Sequence, residues 1–189
     1  MNRKPLFTTK KLVLAGLMAA LTVVGSYIRI VLPVDIAGTT AFHLGNIMCA
    51  LSGILLGPWL GGLAAGLGSA IFDMLNPLYI SEAWITFLFK GIYGLVVGLV
   101  VCCGKKEWNY GRAILGSLAG ALVYAVLYLS KSFFYNGLLL HGLSPDAAWV
   151  TVVGKLPATT FNAAVAIIFA PILAVSIRTA LKKARLSLE

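Results

Sequence analysis

Polar and ionisable residues recur at helical spacing along four consecutive hydrophobic segments of this chain. Steps of three and four residues place each set on one face of a helix, and all four sets lie toward the same end of the segments. A charged side chain is costly in hydrocarbon, so such residues normally face a bundle interior or a watery cavity. The pattern therefore predicts a pocket for a small polar molecule. The sets are Ser69, Asp73 and Asn76; Glu82, Thr86, Lys90 and Tyr93; Tyr124, Tyr128, Lys131 and Tyr135; and Thr151, Lys155, Thr159 and Asn162.

Three lysines, Lys90, Lys131 and Lys155, lie within these segments, and Asp73 and Glu82 are the acidic residues that could pair with them. One interpretation is a set of ion pairs that hold the bundle together. A second is that three cations against two carboxylates leave a lysine for an anionic ligand. Amide side chains both donate and accept hydrogen bonds, and aromatic rings can stack on a ligand. Candidates for such contacts are Asn46, Asn76, Asn136, Asn162, Trp84, Tyr128, Phe134 and Tyr135.

The composition is that of a membrane protein with several spans. Of the 189 residues, 60% are hydrophobic and only 11% are charged, and the mean hydropathy is +0.94. A spanning helix needs ~20 mostly apolar residues, so six spans would use most of the chain. No segment resembles a phosphate-binding G-x-x-x-x-G-K-[ST] loop, so any ATP coupling must come from partner subunits. We expect an all-α membrane protein, a bundle of six transmembrane helices that forms a single domain over residues 1–189.

Basic residues gather in three clusters, which alternate membrane crossings would place on one side. This positive-inside pattern predicts that both termini and the 105–112 loop are cytoplasmic. The predicted apolar segments are residues 11–32, 43–56, 60–75, 82–103, 111–140 and 147–181, with an external loop at 33–41 and a tight turn at 57–59. The basic clusters are Arg3, Lys4, Lys10 and Lys11; Lys105, Lys106 and Arg112; and Arg178, Lys182, Lys183 and Arg185.

Small residues repeat at every fourth position in several segments, a spacing that allows close helix contact in lipid. In the first segment, Ala15 and Ala19, with Gly16 and Ala20 beside them, form a smooth strip. Such a strip could pack against a helix of the same chain, or it could be a docking surface for a partner helix. Composition alone does not separate these two roles.

A series of motifs in this chain resembles the substrate-binding (S) subunits of energy-coupling factor (ECF) vitamin transporters. In chain order, the motifs are Phe42-His43-Leu44-Gly45-Asn46, Gly53-Ile54-Leu55-Leu56-Gly57-Pro58, the glycine- and alanine-rich run 61–70, Asp73, Trp84-Ile85-Thr86 and Lys90-Gly91. The strip Ala15-x-x-x-Ala19 fits the docking motif of that family for its coupling subunit. The resemblance covers nearly the whole chain.

The resemblance implies a multi-pass subunit of the bacterial plasma membrane that captures a water-soluble vitamin or vitamin precursor with high affinity. The loaded subunit would dock onto a coupling membrane protein and two ATPases and deliver its ligand by toppling, with the first external loop as a lid. Riboflavin-specific members are expected to carry an acidic stretch where this chain has His43-Leu44-Gly45-Asn46. The sequence of this chain at these positions is closer to the branch associated with pantothenate or with hydroxymethylpyrimidine, a thiamine precursor. A riboflavin-specific subunit is the alternative.

These arguments together define the predicted site, for which we expect no cofactor, metal or nucleic acid. His43 and His141 lie near the outer face and are expected to be structural, because no third ligand for a metal accompanies them. The predicted substrate-binding residues are Asn46, Asp73, Asn76, Glu82, Trp84, Thr86, Lys90, Tyr128, Lys131, Tyr135, Lys155, Thr159 and Asn162, and the predicted docking residues are Ala15, Gly16, Ala19 and Ala20.

Two other classes of protein fit the sequence less well. An intramembrane serine protease needs a base within reach of its nucleophile, and no histidine lies suitably deep in a segment after Ser52-Gly53. A stand-alone channel or exchanger would need a polar stripe through the whole bilayer. Here the inner halves of the third to sixth segments are nearly all apolar. A pocket at one end of the bundle is more typical of a binding subunit than of an enzyme or a channel.

Overall fold

The structure, a computed structural model, describes residues 8–32, 40–103 and 109–184. Within these ranges, five helices are long and apolar enough to cross a membrane, so the expected count of six is not confirmed. The chain is an all-helical membrane protein with one short pair of strands. The helices are α1 (Thr9–Tyr27), α2 (Gly45–Met74), α3 (Ala83–Cys102), α4 (Tyr110–Lys131) and α5 (Pro145–Lys183).

Four shorter elements of the described chain lie at one end of the bundle. Strand β1 (Arg29–Leu32) follows α1 and pairs in antiparallel fashion with β2 (Thr40–His43), which leads into α2. A single 3-10 turn, Ile80–Glu82, precedes α3. A π-helix, Ser132–Leu140, continues α4 without a break. These elements bring backbone and side chains together where the polar stripes of the helices end.

The first helix ends five residues before the end of the predicted apolar segment 11–32. The helix stops at Tyr27, and in the strand pair that follows, Arg29 lies opposite His43. The β-branched Ile30 and Val31 favour a strand, and the pairing satisfies backbone groups that have left the helix. The prediction of an uninterrupted segment is wrong here because apolar character alone does not distinguish a helix from a strand.

Helix α2 folds back on itself at Gly57, inside the turn predicted at residues 57–59. Gly57 has φ 76°, a conformation that glycine adopts without steric strain. Cys49 Sγ lies 3.6 Å from Ser69 Oγ, whereas residues 20 apart in a straight helix would be ~30 Å apart. The two legs, residues 45–56 and 58–74, are therefore antiparallel. The first leg alone rises only ~18 Å, less than the ~30 Å hydrocarbon core of a bilayer.

Glycines allow the helices to approach closely, as the small-residue spacing predicted. A Cβ atom on Gly94 would lie 2.8 Å from the carbonyl oxygen of Gly61, so α2 and α3 pack almost backbone to backbone. A Cβ atom on Gly68 would overlap the carbonyl oxygen of Ala19, which brings α1 against the second leg of α2. These contacts leave no space for larger residues and fix the order of the first three helices.

Charge is distributed unevenly between the two ends of the bundle. Arg112 at the start of α4 donates a hydrogen bond of 2.6 Å to the carbonyl oxygen of Cys103, which follows α3, so these basic helix ends lie together. The three carboxylates among the described residues lie toward the other end: Asp73, Glu82 and Asp146.

The predicted loop residues 33–39 and several predicted basic positions lie outside the described residues, namely Arg3, Lys4, Lys105, Lys106 and Arg185.

The α2 hairpin predicts a sharp difference between two glycine substitutions. A Cβ atom on Gly61 would lie 2.6 Å from Gly53 Cα, so Gly61→Ala should destabilise the protein by on the order of 1–3 kcal/mol through overpacking. The matched control is Gly16→Ala, because nothing lies within 4 Å of a Cβ there. Alanine favours a helix by ~0.5–1 kcal/mol over glycine, so the control should melt at the same or a higher temperature in detergent. Equal melting temperatures for both variants would contradict the hairpin.

Candidate functional site

A cavity of about 410 Å³ lies at the end of the bundle that holds the carboxylates. This volume is within the range of ~300–1,000 Å³ that is typical of small-molecule sites. The strand pair, α2, α3, α4 with its π-helix, and α5 all contribute to its wall. Ten of the thirteen predicted substrate-binding residues line it: Asn46, Asp73, Glu82, Thr86, Lys90, Tyr128, Lys131, Lys155, Thr159 and Asn162.

Two of the remaining predicted residues lie elsewhere for local reasons. Asn76 Oδ1 accepts a hydrogen bond of 3.1 Å from the backbone N–H of Leu78, so it shapes the turn after α2. Trp84 is 60% exposed and borders a shallow apolar groove on the outside of α2 and α3. It precedes Thr86 by two residues, which is ~200° around the helix, so the two side chains face opposite ways. Trp84 suits the interfacial belt better than the cavity.

The π-helix explains why Tyr135 does not line the cavity. The prediction assumed α-helical spacing from Tyr128 through Lys131 to Tyr135. In the structure the turn is wider, and the N–H of His141 donates to the carbonyl oxygen of Asn136, five residues earlier, at 3.1 Å. The extra residue per turn directs Asn136 toward the cavity in place of Tyr135. Segments of π-helix are frequent at functional sites, and nothing in the sequence periodicity indicated this one.

An ion pair joins the start of α3 to the end of α4. Lys131 Nζ pairs with Glu82 Oε2, and the two side chains are only 11% and 16% exposed. Asn136 Nδ2 donates a hydrogen bond of 2.6 Å to the other oxygen of Glu82. Of the two interpretations that the sequence left open for Lys131, the structure shows the ion pair. The carboxylate and both partners are satisfied within the wall of the cavity.

A second polar cluster lies deeper in the cavity. Lys90, which is 4% exposed, donates a hydrogen bond to Asn46 Oδ1 and lies 4.0 Å from the centroid of the Tyr124 ring. Asp73 lies beside Thr86 and interacts electrostatically with Lys90. An ammonium group in an apolar bundle requires such acceptors and ring faces around it. This cluster holds side chains from α2, α3 and α4 in fixed positions.

Stacked tyrosines form one wall of the cavity. Tyr124 stacks on Tyr93 with centroids 5.6 Å apart and on Tyr128 with centroids 5.9 Å apart. Tyr124 and Tyr128 line the cavity, and Lys155 Nζ lies 5.9 Å from the Tyr128 ring. Ring faces of this kind offer a ligand both apolar surface and a stacking partner. The wall can therefore accept a planar heterocycle or an aliphatic chain.

Asn162 fastens the strand pair to α5. Its Oδ1 accepts a hydrogen bond of 2.9 Å from the backbone N–H of His43, and its Nδ2 donates one of 2.8 Å to the carbonyl oxygen of Ala41. Both ends of the amide are thus used by β2. Asn162 borders the cavity, as predicted, but the structure gives it a positioning role. It holds the strand pair against the helices that form the pocket.

His43 is a neutral side chain at the cavity wall. The backbone N–H of Gly45 donates to His43 Nδ1 at 3.2 Å, so the ring proton resides on Nε2. Burial, together with the positive charges of Lys90 and Arg29, lowers the pKa of His43 to about 3. The ring is therefore uncharged at neutral pH. His43 thus accepts a hydrogen bond from the start of α2, and its ring also lines the cavity.

Arg29 and Ser132 are among the cavity residues that the sequence analysis did not identify. Arg29 lies in β1, with its guanidinium 5.0 Å from the centroid of the Phe72 ring, and was missed because the polar spacing was followed only in the later segments. The signal that could have identified Arg29 in the sequence is a single cationic residue near the end of an otherwise apolar segment. Ser132 begins the π-helix and is 2% exposed, and its Oγ has no hydrogen-bond partner in the described part of the chain. A buried hydroxyl without a partner costs ~1–3 kcal/mol, so a ligand group that met it would remove that cost.

The small-residue strip on α1 divides into two sides. Ala15 and Ala19 are partly buried against the core of the same chain. Gly16 and Ala20 are exposed, and nothing lies within 4 Å of a Cβ atom built on Gly16. The open side is the part that a partner helix could reach. Within the described ranges, no group of three His, Cys, Asp or Glu residues could hold a metal ion.

The Asn162 contacts predict a local effect of a shape-conserving substitution. Asn162→Leu removes both hydrogen bonds to β2, so backbone amides of residues 40–43 should exchange with deuterium about 10-fold faster or more. Thr159→Val is the matched control, because the Thr159 hydroxyl bonds only the carbonyl oxygen of Lys155 in its own helix. The control should leave this exchange unchanged. Unchanged exchange in Asn162→Leu would show that the strand pair is held by other contacts.

Comparison with known proteins places this architecture in a family. Residues 6–179 match the family model described as "ECF-type riboflavin transporter, S component". An uncharacterized protein in the gap 3' region of Pyrococcus woesei is 36% identical over 118 residues, which cover 62% of this chain and 74% of that protein. A UPF0397 protein of Streptococcus pneumoniae (strain Hungary19A-6) is 37% identical over 128 residues, 64% of this chain and 68% of that protein.

These matches and the apolar helices establish a multi-pass plasma-membrane protein. The family consists of transporter subunits and not of enzymes, in agreement with the sequence analysis. The narrower resemblance to a pantothenate or hydroxymethylpyrimidine branch is not confirmed, since the family description names riboflavin. With nearly its whole length matched, the chain belongs to the ECF-type riboflavin transporter S component family.

Proposed function

We propose that this chain is the high-affinity substrate-capture subunit of an ECF-type importer for a water-soluble vitamin or vitamin precursor. The observation that carries the proposal is the cavity of about 410 Å³ with polar walls, built into one end of an otherwise apolar bundle. Its walls combine charged, amide and aromatic side chains from four helices and a strand pair. Such a mixture of an apolar surface and a few fixed polar groups is typical of small-molecule sites.

The closed opposite end favours a capture subunit over a stand-alone transporter or channel. Below the cavity, the bundle is filled by buried apolar side chains such as Ile54, Val97 and Val101. A channel would need polar groups or water along the whole path. A ligand bound in this cavity must leave by the entrance or be carried by movement of the whole subunit. The toppling that the family resemblance implies is a movement of the second kind.

Pantothenate and hydroxymethylpyrimidine are the substrates that we favour, with riboflavin as the alternative. The His43-Leu44-Gly45-Asn46 sequence supports the first two through its resemblance to that branch. The buried lysines suit a carboxylate, and the wall of Tyr124 and Tyr128 suits a pyrimidine or flavin ring. The description of the matching family supports riboflavin.

We also propose a topology of six crossings with both termini in the cytoplasm. The two antiparallel legs of α2 are counted as two crossings, the first of them extended by the strand pair. Apart from the lysines of the cavity, the basic residues on described helices gather at the closed end: Lys10, Lys11, Arg112, Arg178, Lys182 and Lys183. The positive-inside rule assigns that end to the cytoplasm, so the cavity would open outward.

The open side of α1 is the proposed surface for the coupling subunit. Gly16 and Ala20 present a flat strip that a partner helix can approach closely, flanked by the exposed Val13 and Leu17. ATP hydrolysis would be supplied by two ATPases bound to that coupling subunit. This arrangement separates ligand capture, at one end of the molecule, from energy coupling along α1.

The proposal predicts that uptake and binding can be separated by one substitution. Gly16→Trp adds bulk where nothing lies within 4 Å, so the fold and the cavity should be preserved. Cells that express the coupling subunit and both ATPases should then lose uptake of labelled vitamin. Affinity of the purified variant for pantothenate, hydroxymethylpyrimidine or riboflavin, measured by calorimetry, should stay within about twofold of the unmodified protein, because the cavity is untouched.

Val126→Trp is the control, since Val126 is 64% exposed on α4, away from the α1 strip. It should leave both uptake and affinity unchanged. Full uptake by Gly16→Trp would refute docking through this strip. Uptake by the chain alone, without the partner subunits, would favour a stand-alone transporter.

A further inference from the structure

The cavity wall carries more positive than negative charge. Among the described residues that line it, four are cationic, namely Arg29, Lys90, Lys131 and Lys155, and two are acidic, namely Asp73 and Glu82. The sequence analysis counted three cations, because it considered only the lysines of the later segments and not Arg29. The neutral ring of His43 adds no charge at neutral pH. The described wall therefore holds a surplus of two positive charges, four minus two.

Pairing within the deeper cluster does not remove the surplus. Lys90 and Asp73 interact with each other, and counting them as a neutral pair removes one charge of each sign. Glu82 is already bonded to Lys131 and Asn136. After these pairings the formal charge of the described wall is still positive, and Arg29 contributes to it. A formal excess of positive charge at the wall of a cavity in an apolar bundle favours a ligand of opposite sign.

Arg29 is placed to recognise such a ligand. Its guanidinium lies 5.0 Å from the Phe72 ring centroid and 5.2 Å from that of Tyr79. No carboxylate of the described residues forms an ion pair with it. A guanidinium packed on ring faces keeps its N–H edges available, and those edges match two oxygens of a carboxylate or phosphate.

The position of Arg29 is fixed by the strand pair. Arg29 lies opposite His43 in the register of β1 and β2, and Asn162 bonds the backbone of His43. The backbone of Arg29 is therefore held in register with β2, which Asn162 bonds to α5. A preorganised donor of this kind gains affinity because little side-chain freedom is lost on binding.

We propose that the ligand of this cavity carries a carboxylate or a phosphate monoester, and that Arg29 binds this anionic group. The inference rests on the proposed function and specifies the chemical class of the captured molecule. It narrows the substrates proposed above to an acid such as pantothenate, or a phosphorylated precursor, and disfavours neutral hydroxymethylpyrimidine as well as neutral riboflavin. The surplus of positive charge and the geometry of Arg29 are the observations that distinguish these classes.

The test compares three pairs of probes that differ in the anionic group alone. The pairs are pantothenate with pantothenol, phosphorylated with unphosphorylated hydroxymethylpyrimidine, and flavin mononucleotide with riboflavin. Calorimetry on the purified full chain should show that the anionic member of one pair binds at least about 10-fold more tightly than its neutral partner. The first pair reports on a carboxylate, and the other two report on a phosphate.

Variants of Arg29 then test whether its guanidinium is the group that binds the anion. Arg29→Gln should weaken binding of the anion by about 10- to 100-fold and leave the neutral partner unchanged. Arg29→Lys should retain part of the affinity, because lysine keeps the positive charge. It should not retain all of it, because lysine lacks the planar guanidinium that can bond two oxygens at once. Arg112→Gln removes a guanidinium at the other end of the bundle, where it bonds the Cys103 carbonyl oxygen, and should have no effect.

Each other outcome overturns a defined part of the account. A neutral probe that binds as tightly as its anionic partner would refute the charge inference and leave the capture function intact. Equal weakening of both members by Arg29→Gln would refute the role of Arg29, since a structural defect does not depend on ligand charge. If no probe binds and no small molecule is released when the purified protein is denatured, the proposed function itself fails.

Discussion

Ionised side chains in an apolar bundle need partners, and in this protein that requirement organises the end of the molecule that holds the cavity. Each of the helices α2 to α5, or the turn leading into it, contributes at least one such side chain to a common space: Asp73, Glu82, Lys90, Lys131 and Lys155. Their ion pairs, hydrogen bonds and ring contacts hold four helices at fixed distances. The cavity exists because these groups face one another and not the lipid. Removing one of them would leave its partner buried and unsatisfied.

The other end of the molecule follows from the opposite constraint. There the helices meet through glycine and alanine, and apolar side chains fill the remaining space. The reversal at Gly57 brings the two legs of α2 together and sets α3 against them. This dense packing closes any path for a polar ligand through the bundle. One end of the bundle thus offers a binding cavity and the other end is closed by dense packing, as a capture subunit requires.

Much of the site could be predicted from residue spacing. Polar groups at helical intervals lie on one face of a helix, and in an apolar segment that face must point toward the bundle interior and not toward lipid. The predictions were least accurate where the chain leaves the regular α-helix. Tyr135 was expected on the cavity face, but the wider turn of the π-helix directs Asn136 there. Arg29 was overlooked because the polar spacing was followed only in the later segments, and it lies in a strand that hydropathy does not distinguish from a helix. The choice for Lys131 between an ion pair and a ligand contact needed coordinates, since sequence does not show that Glu82 is within reach.

The central claim is that one small molecule occupies the cavity of each subunit, and its most direct test is a count of bound ligand. Protein purified from cells grown in rich medium is denatured, and the released molecules are identified and quantified by mass spectrometry. The account predicts close to a single molecule per chain for the unmodified protein. It predicts almost none for Thr159→Trp, which fills the cavity from α5. An equal amount of ligand from both proteins would place the binding site elsewhere and contradict the account.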